Sequence, residues 1–199
     1  MKPISLILAS TSPRRQELLS TLGVSFRVVP PIFMERPIKW LGPREEAAYL
    51  AYHKAMSLVP RFPAAWILAC DTLVAFEGKK WGKPRNKEDA VNILLAMSGK
   101  WHQVWTALAL YQGRNPAGLD RSWQHWEEVS EVHFKKFSEQ EARDYVETGE
   151  AMGKAGAYAI QGLGVSLVEE ICGEKENIIG LPLKRLSSIV GLRNQFHSL

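Results

Sequence analysis

The residues best placed for chemistry in this chain are Asp71, inside the apolar run AAWILACDTLVAF (residues 64–76), and Arg14 and Arg15, inside ISLILASTSPRRQELLSTL (residues 4–22). A carboxylate within a strand-like apolar segment is costly unless it is paired, hydrogen-bonded or metal-bound. The plainer reading ends the strand there and lets Asp71 cap the next turn. Around the arginines, apolar residues 4–9 feed a Ser-Thr-Ser-Pro turn, and residues 16–22 carry a helical apolar spacing. Ser12 is placed to cap that helix, and Pro13 suits its first position, where a missing N–H costs nothing. Free backbone N–H groups and the positive end of the helix attract an anion, and guanidinium forks match phosphate. The stretch predicts a phosphate-binding corner for a nucleotide. Two plainer readings compete: a solvated helix start without a ligand, and a secretory signal. The second is disfavoured because the apolar run is shorter than a signal's core and charges follow at once.

Further candidates lie along the chain. Lys54 falls on the Ala47/Leu50/Ala51 side of an amphipathic segment, so it either snorkels to water or reaches into a cleft. Lys83 sits in the rigid loop Gly82-Lys83-Pro84, and Glu35 sits in a proline-bounded loop, residues 31–43. The bulk properties are permissive. The chain has 199 residues, 46% hydrophobic and 23% charged, with net charge +4, which suits an anionic small molecule and a nucleic acid equally. Length and continuity predict one domain over residues 1–199. No apolar run approaches a membrane span, and the positive residues group around the phosphate corner rather than forming a basic stripe with interleaved aromatics. Neither a membrane nor a nucleic-acid partner is expected. Cys70 and Cys172 have no metal-like spacing and read as buried free thiols of a reducing cytosol, with a disulfide between them left open.

The elements that must position these residues follow from periodicity and punctuation. Strands are predicted at residues 4–9, 24–29, 66–69, 73–76, 101–111, 128–136 and 165–171, with a further short strand at 157–161 ending on a buried Gln161 amide. Helices are predicted at 13–22, 43–56, 87–97, 138–147, where Ser138 and Glu141 form a capping box, and 181–190. Residues 77–80 and 112–124 read as turns, and 173–177 as a loop.

With these elements in place, six blocks carry a family resemblance: LILASTSPRRQELL, LACDTLV, GKP, MSGKWHQVWTALAL, GKAGAYAIQGLG and NIIGLPL. Their order and spacing resemble the Maf family, over residues 6–183. The resemblance implies an α/β fold like that of inosine triphosphate pyrophosphatases: an elongated mixed sheet with flanking helices and two lobes around a cleft. It implies a cytoplasmic nucleoside triphosphate pyrophosphatase using Mg²⁺ or Mn²⁺, and a homodimer is compatible with it. Arg14, Thr72 and Gln161 match the branch similar to dTTP/UTP pyrophosphatases, whereas the branch similar to 7-methyl-GTP pyrophosphatases tends to carry an aromatic residue, glutamine and glutamate there. A glutamine amide offers a donor and an acceptor to the edge of uracil or thymine.

By the same resemblance Asp71 matches the proton acceptor, Asp71 and Glu35 are the metal-ligand candidates, and Ser10, Arg14, Arg15, Lys54 and Lys83 hold phosphates. Two positions depart from the family pattern. Met34 stands where many relatives have aspartate before Glu35, and Asn86 where relatives often have aspartate. His102 reads as a structural histidine. Rival readings are a pyrophosphatase for modified purine triphosphates such as 7-methyl-GTP, and a nucleotide-binding regulator of septum formation with hydrolysis secondary.

Overall fold

The computed structural model describes residues 6–113 and 123–188. Residues 4–5 of the first expected strand, most of the 112–124 turn and the end of the expected 181–190 helix lie outside them. Seven strands form one mixed sheet: β1 (Leu6–Leu8), β2 (Phe26–Val28), β3 (Trp66–Phe76), β4 (Lys79–Trp81), β5 (Trp101–Tyr111), β6 (Trp123–Phe134) and β7 (Val168–Cys172). Their order is β2-β1-β3-β5-β6-β7, with β4 paired to β3. β1 is parallel to both β2 and β3, and the other pairings are antiparallel. β1 is buried throughout, which is why its sequence is an unbroken apolar run rather than an alternation.

The helices are α1 (Pro13–Ser20), α2 (Pro43–Met56), α3 (Lys87–Met97), α4 (Glu139–Glu147), α5 (Lys175–Ile179) and α6 (Leu183–Ser188). They divide the core between the sheet's two faces. On one face, Ala47, Ala51 and Ala55 of α2 pack on Ile67, Ala69, Ala107 and Ala109. Small side chains on both surfaces bring the helix axis close to β3 and β5. The other face packs Leu68, Cys70, Val74, Leu108 and Val132 against Leu94, Met97, Ala142 and Val146 of α3 and α4. Because a strand alternates faces, Asp71 projects towards α2 and Thr72 to the opposite side.

Several expectations are corrected. β3 runs unbroken through Asp71, which pairs with Ala107 in the β5 register, so Asp71 does not cap a turn. The turn expected over 77–80 shrinks to Glu77 and Gly78, both with positive φ, and β4 follows at once. That is the backbone a two-residue hairpin between right-twisted strands requires. β6 begins at Trp123 rather than at 128, and β7 occupies 168–172 rather than 165–171. Residues 157–161 form no strand: a 3-10 turn spans Ala155–Ala157, and Gln161 is exposed. The 173–177 loop contains the start of α5, and Gly180 (φ 121°) separates α5 from α6. Ser12 makes no side-chain cap; its N–H instead donates to Ser10 Oγ at 3.1 Å. The Ser138/Glu141 capping box is present. Cys70 is buried, with its thiol pushed up to about 11 by burial, but Cys172 is exposed and both are free.

After α4, Glu150 anchors the chain that walls the cleft. Its carboxylate accepts from Tyr145 Oη (2.9 Å), Leu163 N (3.1 Å) and Gly164 N (2.8 Å), and Tyr145 Oη accepts from Ala159 N. A Cβ on Gly164 would lie 2.7 Å from Ala159 O and 2.8 Å from Tyr145 Oη. Gly164→Ala is therefore expected to destabilise the protein by about 1–3 kcal/mol through overpacking, read as a lower urea midpoint with an unchanged slope.

Candidate active site

The cleft opens where β3 loses its neighbours on one edge. β1 pairs with β3 as far as Leu68, and β4 pairs from Val74 onward. Between them, residues 69–73 carry no strand on that edge, so Asp71 and Thr72 are reachable from both faces of the sheet. Into this gap come Ser10 and the start of α1, Glu35 from the loop after β2, Lys54 of α2, Lys83 after β4, and residues 153–160 after α4. The cavity holds about 680 Å³.

On the α2 face, Lys54 is buried and its ammonium lies 2.5 Å from Asp71 Oδ1 and 2.8 Å from Glu35 Oε1. Of the two readings of Lys54, the cleft is the observed one. Asp71 is buried, and that burial raises its pKa; the positive charges of Lys54 and Arg15 offset the effect only in part. At Glu35, which is exposed, partial desolvation also pushes upward, but the Lys54 hydrogen bond and the charges of Lys54 and Lys83 outweigh it, and the net shift is downward. One ammonium thus holds two carboxylates with opposite tendencies: a basic Asp71 and a firmly ionised Glu35.

The phosphate corner is partly as expected. Ser10 is buried at the cleft wall; its Oγ accepts from Ser12 N, which leaves its own proton to donate. Arg14 lines the cleft with no hydrogen bond or ion pair to the described residues, and burial, then its neighbour Arg15, lower its pKa. Lys83 likewise makes no hydrogen bond or direct ion pair to the described residues, though its charge acts on Glu35. The Arg15 fork also has protein acceptors: it donates to Gly180 O (2.9 Å), Cys70 O (2.9 Å) and Thr72 Oγ1 (3.0 Å). Three of its five donors brace the gap in β3, and Arg15 lines the cleft beside Arg14. Lys154 was not anticipated from the sequence. It lines the cleft, has no ion pair among the described residues, and its pKa is lowered by burial and by Arg14, then by Lys83. Its one signal in the sequence was a lysine set between glycine and alanine in GKAGAYAIQGLG.

On the opposite face of β3 the cleft is apolar, walled by Val74, Val104, Tyr158, Ile160, Ile178 and Ile179, with the Thr72 hydroxyl among them. Of the three expected specificity residues, the structure brings Arg14 and Thr72 to the cleft but not Gln161, which is exposed and does not line it. His102 is buried behind the wall, and its Nε2 lies 2.9 Å from Tyr158 Oη. Burial holds its pKa down to about 4, so the ring is neutral and structural.

Among the described residues, no group of three His, Cys, Asp or Glu side chains gathers to hold a metal. Glu35 and Asp71 nevertheless converge on one point, the Lys54 ammonium. Two carboxylates brought this close offer, beside the ammonium, the oxygen donors that a hard divalent ion takes along with phosphate and water. Met34 is 74% exposed and does not line the cleft, so the departure from aspartate falls outside it. Asn86 caps α3, its side chain accepting from Asp89 N at 2.8 Å.

The family described as Maf-like protein matches residues 5–191. Curated relatives with the name dTTP/UTP pyrophosphatase include one from Gloeobacter violaceus, 40% identical over 94% of this chain and 95% of its own. Those from Syntrophomonas wolfei (41% identity, 94% and 96%) and Aquifex aeolicus (41%, 92% and 93%) are equally similar. Among solved structures, a nucleoside-triphosphatase / dITP/XTP pyrophosphatase from Mycobacterium abscessus aligns over 98% of this chain and all of its own, at 15% identity and TM-score 0.45. With a match along nearly its whole length and relatives at this identity, the chain belongs to the Maf-like protein family.

Proposed function

We propose that this chain hydrolyses pyrimidine nucleoside triphosphates, dTTP and UTP, to the monophosphate and pyrophosphate. The observation that carries the reading is the division of the cleft: a buried Asp71 with a raised pKa beside Lys54, facing Arg14, Lys83 and Lys154, which make no direct ion pair among the described residues. The names of the relatives support the substrate.

A water beside Asp71 attacks the α-phosphorus and passes its proton to the Asp71 carboxylate. The bond from the α-phosphorus to the bridging oxygen breaks, and pyrophosphate leaves with the negative charge. Lys54 holds Asp71 in place and keeps it ionised against its burial. Arg14, Lys83 and Lys154 neutralise the charge that grows on the leaving group, the principal demand of phosphoryl transfer. Ser10 donates its remaining proton to a phosphate oxygen. Glu35 and Asp71 would hold Mg²⁺ or Mn²⁺, which when bound supplies charge neutralisation and a more acidic water.

Four outcomes test this. Pyrophosphate release from a triphosphate panel, with Mg²⁺ and with Mn²⁺, should be greatest for dTTP and UTP; a preference for 7-methyl-GTP or ITP would refute the base assignment. Asp71→Asn should lower kcat by 10²-fold or more, with nucleotide binding retained. Because ionised Asp71 is the active form and its pKa is raised, kcat/KM of the wild type should fall on acidification with a midpoint above the ordinary aspartate value of about 3.9. Lys154→Met should lower kcat/KM for the triphosphate by about 10–100-fold, while affinity for the monophosphate changes little. Equal losses for both ligands would place Lys154 away from the leaving group.

A further inference from the structure

The hydroxyl of Thr72 is the end of a hydrogen-bond chain whose direction can be read by counting protons. Thr106 Oγ1 lies 2.8 Å from Asn177 O, and a carbonyl oxygen only accepts, so the single Thr106 proton points to it. Thr106 Oγ1 and Thr72 Oγ1 are 2.9 Å apart. Since the Thr106 proton is spent, Thr72 must donate to Thr106. Arg15 Nη2 then donates to Thr72 Oγ1 at 3.0 Å. The opposite assignment would leave Thr106 Oγ1 and Asn177 O facing each other at 2.8 Å as two lone pairs. Thr106 is wholly buried and does not line the cleft, so no ligand competes for its proton. The carbonyl is held in place because the Asn177 side chain, itself buried, donates to Val104 O (3.0 Å) and Ser130 Oγ (3.1 Å).

The consequence falls on the half-buried Thr72, the hydroxyl on the apolar side of the cleft. Its proton is committed and one lone pair is taken by Arg15. What remains for a ligand is one lone pair. A free hydroxyl serves either polarity; this one is fixed as an acceptor.

Building on the pyrophosphatase reading, we infer that Thr106 and Arg15 act as positioning residues that lock the Thr72 hydroxyl as an acceptor, so that the site takes a base with a ring N–H and rejects one with a ring lone pair in its place. Uracil and thymine present an N3–H donor. Cytosine presents a lone pair at N3, which would meet the Thr72 lone pair. Rejection through an unmatched polar group in a closed pocket is stronger than selection by shape alone. The class accepted is therefore the keto pyrimidines, and the residue that enforces it lies outside the pocket.

The test is the ratio of kcat/KM for dCTP to that for dTTP. Thr106→Val removes the acceptor of the Thr72 proton with little change of volume and frees that proton to turn towards the base. The ratio is expected to rise about tenfold or more, through a gain on dCTP. Thr106→Ser, which restores the chain, should return the wild-type ratio. An unchanged ratio in folded Thr106→Val overturns the proposal. Should that variant not fold, Thr72→Val is read in its place: loss of the hydroxyl should bring the two substrates together by a similar factor, and an unchanged ratio again overturns the proposal. The α,β-imido analogues of dTTP and dCTP, measured by calorimetry on the same proteins, separate the two ideas. Binding without turnover of any triphosphate refutes the pyrophosphatase reading alone, and the ratio of affinities then decides the hydroxyl chain. No binding of either analogue refutes both.

Discussion

An ammonium group with only 8% of its side chain exposed has to be neutralised where it sits, and much of this molecule is arranged to do so at Lys54. A buried charge left alone costs several kcal/mol, and a buried pair is tolerated only with close geometry on both partners. The geometry comes from α2 lying low on the sheet, which the alanines at 47, 51 and 55 permit against Ala69 and Ala107. Larger residues on either surface would lift the helix and take Lys54 away from Asp71. The third member, Glu35, reaches the ammonium from the loop after β2 and leaves the group of three with one net negative charge. The other side of the cleft holds three cations, Arg14, Lys83 and Lys154, that make no direct ion pair among the described residues. On the proposed reading, a triphosphate with its counter-ion would satisfy both halves together.

The gap in β3 explains how one strand serves two purposes. β3 meets a parallel neighbour at one end and an antiparallel hairpin at the other, and the two do not touch. Exposed strand edges are liabilities, and this one is managed by Arg15, which supplies the donor that Cys70 O would otherwise take from a strand. The same guanidinium reaches Gly180, where a side chain would press on Arg15 Nε and Thr72 Oγ1 at 3.2 and 3.1 Å. The glycine is required there both by its φ of 121° and by this close approach.

How much of this was legible in the sequence depended on range. Where the signal is local, the boundaries agree: α2, α3 and β5 have the predicted limits, and the capping box of α4 is present. The conflict between propensity and burial at Asp71 and Lys54 was also visible, because a charge on an apolar face is a local contradiction. What the sequence did not reveal is long-range. Arg15 reads as a phosphate ligand because nothing near it accepts its donors; its acceptors are 55, 57 and 165 residues away. Lys154 was missed for the converse reason, since a lysine in a glycine-rich turn looks solvated until Arg14 and Lys83 arrive beside it. Gln161 was expected to be buried from a strand that did not form; positive φ at Gly156 and Ala157 turns the chain there, and the amide ends in solvent.

Asp71 and Thr72 are adjacent, on opposite faces of one strand, and that adjacency couples chemistry to recognition. A shift of β3 by one residue would exchange their faces, placing the hydroxyl against Lys54 and the carboxylate among apolar side chains. On the proposed reading, register is therefore functional here and not only structural. It is held by the nine-residue β5 pairing, by β4 at one end and β1 at the other. The Thr72–Thr106 pair is itself one of the cross-strand pairs of that ladder. The hydrogen bond that fixes the polarity of Thr72 thus also reports that the strands are in register, and the same register sets Asp71 opposite Ala107, beneath α2. On the proposed reading, a change that slips the ladder would lose the base contact and the proton acceptor together, whereas a change confined to the hydroxyls would lose only the first.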